Sequence, residues 1–153
     1  MYNIFVSYAQ QELGWAEYLR QHLAFSNVNI FVAEHDLPAG NSLSVDISTQ
    51  IKQCNLFVLL WTQNAHLSTY VNQELFLAKS EGKKVLPILL KPGIQLPQIL
   101  GDMKYLDIAK APENQLAWLR NFVEAEAKSK ALSDFIAFGI LGFLAYALLK
   151  GGS

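Results

Sequence analysis

The chain has 153 residues, 52% apolar and 16% charged, which suits one packed domain and excludes extended disorder. Its formal net charge is −1, from 12 basic and 13 acidic residues, so no basic excess is available for a phosphate backbone and no nucleic-acid partner is expected. The single cysteine, Cys54, excludes a disulfide framework and a cysteine-based zinc site, and the residues from Met1 to Tyr8 lack the pattern of a secretory signal.

In chain order, Ile4 to Tyr8 (IFVSY) predicts a strand. Trp15, Tyr18, Leu19, His22 and Leu23 then fall on one face of a helix. Ile30 to Ala33 is a second strand, and Asp36 to Ser42, broken by Pro38 and Gly40, is a loop. Leu43, Ile47 and Ile51 recur every fourth residue and give a second helix. Leu56 to Trp61 is a continuous apolar run and reads as a third strand. A third helix is predicted from Tyr70 to Glu81, ending before Gly82. Val85 to Leu90 is a fourth strand, with Pro87 an awkward residue inside it. Tyr105 to Ile108 is a short fifth strand, and Leu116, Leu119, Phe122, Val123 and Ala127 mark an amphipathic helix.

Strands and helices therefore alternate. Central strands that are apolar throughout are buried on both faces, which requires a parallel sheet covered by helices. The expected fold class is α/β: a flavodoxin-like, doubly wound, parallel five-stranded sheet with helices on both faces, plus a C-terminal hydrophobic helix. The expected organisation is a domain over 1–128, the hydrophobic helix over 131–149 and a tail over 150–153. In such sheets ligands bind outside the carboxyl ends of the strands, near the point where strand order reverses.

Several functions housed in this architecture are disfavoured. A phospho-receiver needs clustered acids after the first strand, where this chain has Ala9, Gln10 and Gln11 and its nearest acid at Glu12. A bound dinucleotide cofactor needs a glycine-rich turn there, and only Gly14 is present. No phosphate-binding P-loop motif occurs. His22, His35 and His66 have no metal-ligand spacing, so no metal is expected. Cys54 reads as a packed, inert thiol. One acid stands out. Glu74 falls at the edge of the stripe made by Val71, Leu75 and Ala78 on the third helix. Two readings stay open: a partly desolvated acid with a raised pKa, or an ordinary boundary glutamate that aids the first helical turn.

Taken together and in order, these pieces resemble a TIR domain (Toll/interleukin-1 receptor homology) of the short bacterial or archaeal type. The matching segments are Ile4 to Tyr8, Ile30 to Ala33, the loop Asp36-Leu37-Pro38-Ala39-Gly40, Cys54 to Leu60, Ser68 to Leu75, and Gly82 to Ile88. The resemblance covers roughly residues 2–125. It implies cleavage of the nicotinamide–ribose bond of NAD, with NAD as substrate rather than cofactor and Glu74 as the catalytic acid. It places Tyr8, Ala9, Gln10, Glu34, Trp61, Ser68 and Tyr70 at the substrate, and makes Asp36 to Gly40 a loop for contacts between TIR domains. It also implies activation by self-assembly and a role in antiphage or immune-type defence. This chain departs from the family by lacking a basic residue after Tyr8 and by having Ala33 where relatives often carry an acid; Glu34 or Asp36 could substitute. The alternatives are a non-catalytic TIR adaptor working through TIR–TIR contacts at a membrane, a nucleoside-processing glycosyl transferase, and a membrane-damaging effector.

The last segment carries an expectation of its own. Phe135 to Leu149 is 15 unbroken apolar residues, and 19 if counted from Ala131, between Lys128 and Lys130 on one side and Lys150 on the other. A span needs about 20 residues, with a range of roughly 17–25. The expectation is a membrane-inserted helix holding the TIR domain on the cytoplasmic side. The alternative is a helix that buries itself in an oligomer, helped by Gly139, Gly142 and nearby alanines.

Overall fold

The computed structural model describes residues 1–33 and 44–151, excepting the side chains at 140, 141, 143 and 145. Glu34 and the assembly loop Asp36 to Gly40 lie outside the described residues. The strands are β1 (Tyr2–Ser7), β2 (Val28–Val32), β3 (Leu56–Trp61), β4 (Val85–Leu89) and β5 (Leu106–Asp107). The helices are α1 (Leu13–His22), α2 (Val45–Gln53), α3 (Gln63–Leu67), α4 (Thr69–Ser80) and α5 (Pro112–Gly151). All strand pairs are parallel, in the order β2-β1-β3-β4-β5. This is the flavodoxin-like order, with its switch between β1 and β3.

Alternation along β1 sorts side chains to two cores. Ile4 and Val6 face the layer that holds Ala16 and Leu19 of α1 and Leu119, Val123 and Ala127 of α5. Phe5 faces the layer that holds Ile47 and Ile51 of α2 and Val71, Leu75 and Ala78 of α4. In register across three strands, Phe5 stacks between Phe31 and Phe57, with both centroid distances 5.4 Å. Ser7, two residues on from Phe5, therefore lies on the α2/α4 side of the sheet.

Pro87 sits within β4, opposite Leu59. Lys84 O accepts from Phe57 on β3, Leu90 N donates to Trp61 on β3, and Leu89 O accepts from Ile108. Backbone polar groups alternate sides along a strand, so the Pro87 nitrogen is directed away from β3. There β5 pairs only with Ile88 and Leu89. The missing N–H thus breaks no ladder bond.

The sequence reading missed α3. Five residues are too few for a periodic signal. Its start is nevertheless marked: the Thr62 hydroxyl accepts from the Ala65 N–H at 3.1 Å.

The last helix runs without a break from 112 to 151, so residues 131–149 continue the amphipathic helix rather than beginning a new one. Its buried positions end at Ala127, and Phe135, Phe138, Leu148 and Leu149 are exposed. Among the described residues no helix is long and apolar enough to cross a membrane, so the membrane span expected at 131–149 is not supported. The unbroken apolar run is short of a bilayer. It is preceded by Asp134, whose carboxylate pairs with Lys130 Nζ at 2.7 Å.

The same helix should therefore respond unequally along its length. Leu119→Ala, at a fully buried position, is expected to cost about 2–5 kcal/mol in denaturant unfolding. Ile136→Ala, on the exposed part, is expected to change the monomer by no more than about 0.5 kcal/mol.

Candidate functional site

The carboxyl ends of β1 and β3 diverge where the chain goes one way to β2 and the other way to β4. Glu74 reaches this region from α4. It occupies the buried stripe of the helix at i+3 from Val71, with Leu75 and Ala78 completing the face. The helical wheel put Glu74 at the edge of that stripe; the structure puts it inside, with 0% exposure. The Ser7 hydroxyl donates to Glu74 Oε1 at 2.9 Å. Burial opposes the charged form and pushes the Glu74 pKa up to about 8, while the Ser7 hydrogen bond acts in the opposite, weaker sense. Burial thus favours the neutral acid near physiological pH.

Beside it, Tyr8 and Ala9 are buried just beyond β1, and Gln10 is exposed at the start of a short 3-10 turn, Gln10–Glu12. The Tyr8 hydroxyl donates to the carbonyl of Ala33, which ties the end of β1 to the residue after β2. This gives Tyr8 a backbone anchor and Ala33 a fully buried place in the α2/α4 core. Tyr70 is half-buried one turn before Glu74. Ser68 is the N-cap of α4: its hydroxyl accepts from the Val71 N–H at 3.3 Å. The end of β1 and α4 thus bring Ser7 and Glu74 into contact, with Tyr8 and Ala9 following Ser7 in the chain.

Trp61 closes β3 on the same face of the sheet. Its ring is 1% exposed, and its indole N–H donates to the carbonyl of Gln95 at 2.9 Å. It lines a cleft beside α3 and the segment after β4, together with His66 and Asn72.

Two residues of the region were not among those expected from sequence. Ser7 was read only as part of a strand. Strand alternation gives its face, but the pairing with Glu74 needs the knowledge that α4 covers that face. Glu12 was considered only as an argument against a phospho-receiver. It is buried, with Oε1 accepting from Asn64 Nδ2 at 3.0 Å and Oε2 without a partner among the described residues. The other titratable groups read as structural. His22 Nε2 lies 3.0 Å from the Leu116 carbonyl and links α1 to α5. The Cys54 thiol is buried, and burial pushes its pKa up to about 11, which makes it a poor nucleophile. Among the described residues no group of three or more His, Cys, Asp or Glu side chains could hold a metal ion.

With this geometry in place, the comparisons with known proteins are direct. The TIR domain family model matches residues 4–121. The chain belongs to the TIR domain family. Among solved structures, it is similar to the TIR domain of the Toll-related receptor TRR-2 from Hydra magnipapillata, at 20% identity and a TM-score of 0.62, covering 81% of this chain and 98% of that one. It is also similar in fold to the CMP N-glycosidase BcmB of Clostridium botulinum, at 19% identity and a TM-score of 0.55, covering 78% of this chain and 98% of that one. No curated protein matches it in sequence.

The buried acid has a consequence for stability. Its pKa is raised from 4.5 in the unfolded chain to about 8 in the fold, so between these values the folded state holds a proton that the unfolded state has lost. Its contribution is complete below pH 4.5 and is lost as pH rises through about 8. Thermal unfolding of wild type and Glu74→Gln should coincide near the lower value. The variant should become the more stable of the two as pH rises toward and past the upper one.

Proposed function

We propose that this TIR domain is an NAD glycohydrolase or ADP-ribosyl cyclase that cleaves the nicotinamide–ribose bond and is activated when copies assemble. The observation that carries the reading is the buried carboxyl of Glu74, held by Ser7 at the end of β1 beside the switch in strand order. A protein of the same fold is a CMP N-glycosidase, so the fold accommodates N-glycosidic chemistry.

The chemistry follows from the environment of the acid. NAD brings a pyridinium cation, and an opposite charge nearby favours the ionised carboxyl. Substrate binding would therefore draw the proton from Glu74. As the glycosidic bond breaks, its electron pair goes to the ring nitrogen and nicotinamide leaves neutral. Positive charge then develops on the ribose C1′ and ring oxygen. A carboxylate in a low-dielectric setting stabilises that charge far better than water would. The ribose hydroxyls are its hydrogen-bond donors. Attack by water at C1′ gives ADP-ribose and releases one proton; attack by an adenine nitrogen gives a cyclic product. Ser7 acts as a positioning residue, fixing one carboxyl oxygen. Glu74 has no exposed surface in the single chain, so substrate entry requires movement, and assembly is the proposed cause.

A second reading, a non-catalytic scaffold working through TIR–TIR contacts, draws on a different observation. The exposed apolar end of α5, with Phe135, Phe138, Leu148 and Leu149, offers a surface for clustering.

Nicotinamide release from NAD, followed by mass spectrometry at high and low protein concentration, separates the two. The enzyme reading expects release that rises more steeply than protein concentration and falls about a hundredfold or more in Glu74→Ala. Absence of release from clustered protein would favour the scaffold. A further outcome concerns pH. For wild type, kcat/KM should climb through pH of about 8, and Ser7→Ala should move that rise to higher pH, since the Ser7 bond lowers the Glu74 pKa.

A further inference from the structure

The cleft beside Trp61 has a chemistry unlike that around Glu74. It has a volume of about 640 Å³, within the range of small-molecule sites. α3, the exposed start of α4 and the segment after β4 enclose it. No lysine, arginine, aspartate or glutamate is among its described lining residues.

One wall is a fixed aromatic edge. The His66 imidazole is exposed and sits edge-on to Trp61, with centroids 5.8 Å apart and planes at 73°. Trp61 cannot swing away, because it is buried and its indole N–H is bound to the Gln95 carbonyl. The imidazole nitrogens have no partner among the described residues. The lining also includes apolar Ile94, Leu96 and Pro97, all half-buried.

The polar groups are amides. Asn72 commits its Nδ2 to the carbonyls of His66 and Ser68, at 3.0 and 2.7 Å. That fixes the side chain and leaves Oδ1 as an acceptor. Gln63 and Gln98 are exposed, and their side-chain amides make no hydrogen bond among the described residues. Each offers two donors and an acceptor.

An exposed imidazole, apolar side chains and neutral amides suit a ligand that is planar in part, rich in hydroxyl or amide edges, and uncharged. A phosphate would find no cation to meet it. The volume exceeds that of a bare heterocycle and leaves room for a sugar. We propose that this cleft binds a neutral nucleoside, its base against the His66 imidazole and its polar edges on the amides of Gln63, Asn72 and Gln98. Glu74 is not among the described lining residues, and the proposal does not depend on the catalytic reading.

The test uses the full chain labelled with nitrogen-15 and titrated with adenosine, cytidine and AMP. The chain has three tryptophans, so the Trp61 indole N–H is one of three resolved signals, assigned with Trp15→Phe and Trp118→Phe. A saturable shift of the Trp61 signal with at least one nucleoside is expected. His66→Ala should weaken it about fivefold, the size of one hydrogen bond or ring contact. Gln98→Ala, in the segment after β4, should weaken it in the same direction, so the result does not rest on one variant. Glu74→Ala should leave it unchanged. The proposal is overturned by no saturable shift at millimolar nucleoside. It is also overturned by a shift that survives both cleft variants but disappears in Glu74→Ala, which would place the ligand in the other site. Markedly tighter binding of AMP than of adenosine would overturn the neutral-ligand assignment.

Discussion

The burial of one carboxyl group constrains the rest of this structure. Glu74 lies among the buried positions of α4 and has no exposed surface. Burial there disfavours the charged form, and Ser7 supplies a hydroxyl donor that acts in the opposite sense. That donor exists only because β1 places odd-numbered residues on the α4 side. The parallel sheet, the switch in strand order and the capping of α4 by Ser68 all converge on this one pairing. The fold therefore tolerates a group that its own interior disfavours, which fits the chemical role proposed for Glu74.

Much of this was legible in the sequence. Runs such as Leu56 to Trp61, apolar at every position, announce a strand buried on both faces, and the observed β3 has those bounds. The helix around Glu74 was placed to within a residue, because its four buried positions follow helical spacing. The depth of Glu74 was underestimated. A wheel gives direction around one helix but not the height of the neighbouring sheet, and the aromatic layer of Phe31, Phe5 and Phe57 that builds that height comes from three separate strands.

Other features were hidden for definite reasons. α3 is shorter than two turns, so only its Thr62 cap could have revealed it. Trp61 closes β3, as the apolar run indicates. The structure turns its indole toward Gln95, a partner 34 residues away that no local pattern indicates. Pro87 argued against a strand, yet its nitrogen falls on the side where β5 pairing is only two residues long. The expected membrane span rested on the length of the apolar run and its flanking lysines. It did not weigh that the same helix begins as an ordinary amphipathic segment packed on the sheet.

That continuity of α5 has a mechanical meaning. At about 1.5 Å per residue, the portion from 128 to 151 reaches roughly 35 Å beyond the last buried position, as a stiff rod rather than a string. A rod transmits angle as well as distance. Anything that grips its far end fixes the orientation of the sheet, because Leu119, Val123 and Ala127 hold the near end in the core. Copies gathered by such rods would meet at a set spacing and a set rotation, whereas a flexible linker would set only their local concentration.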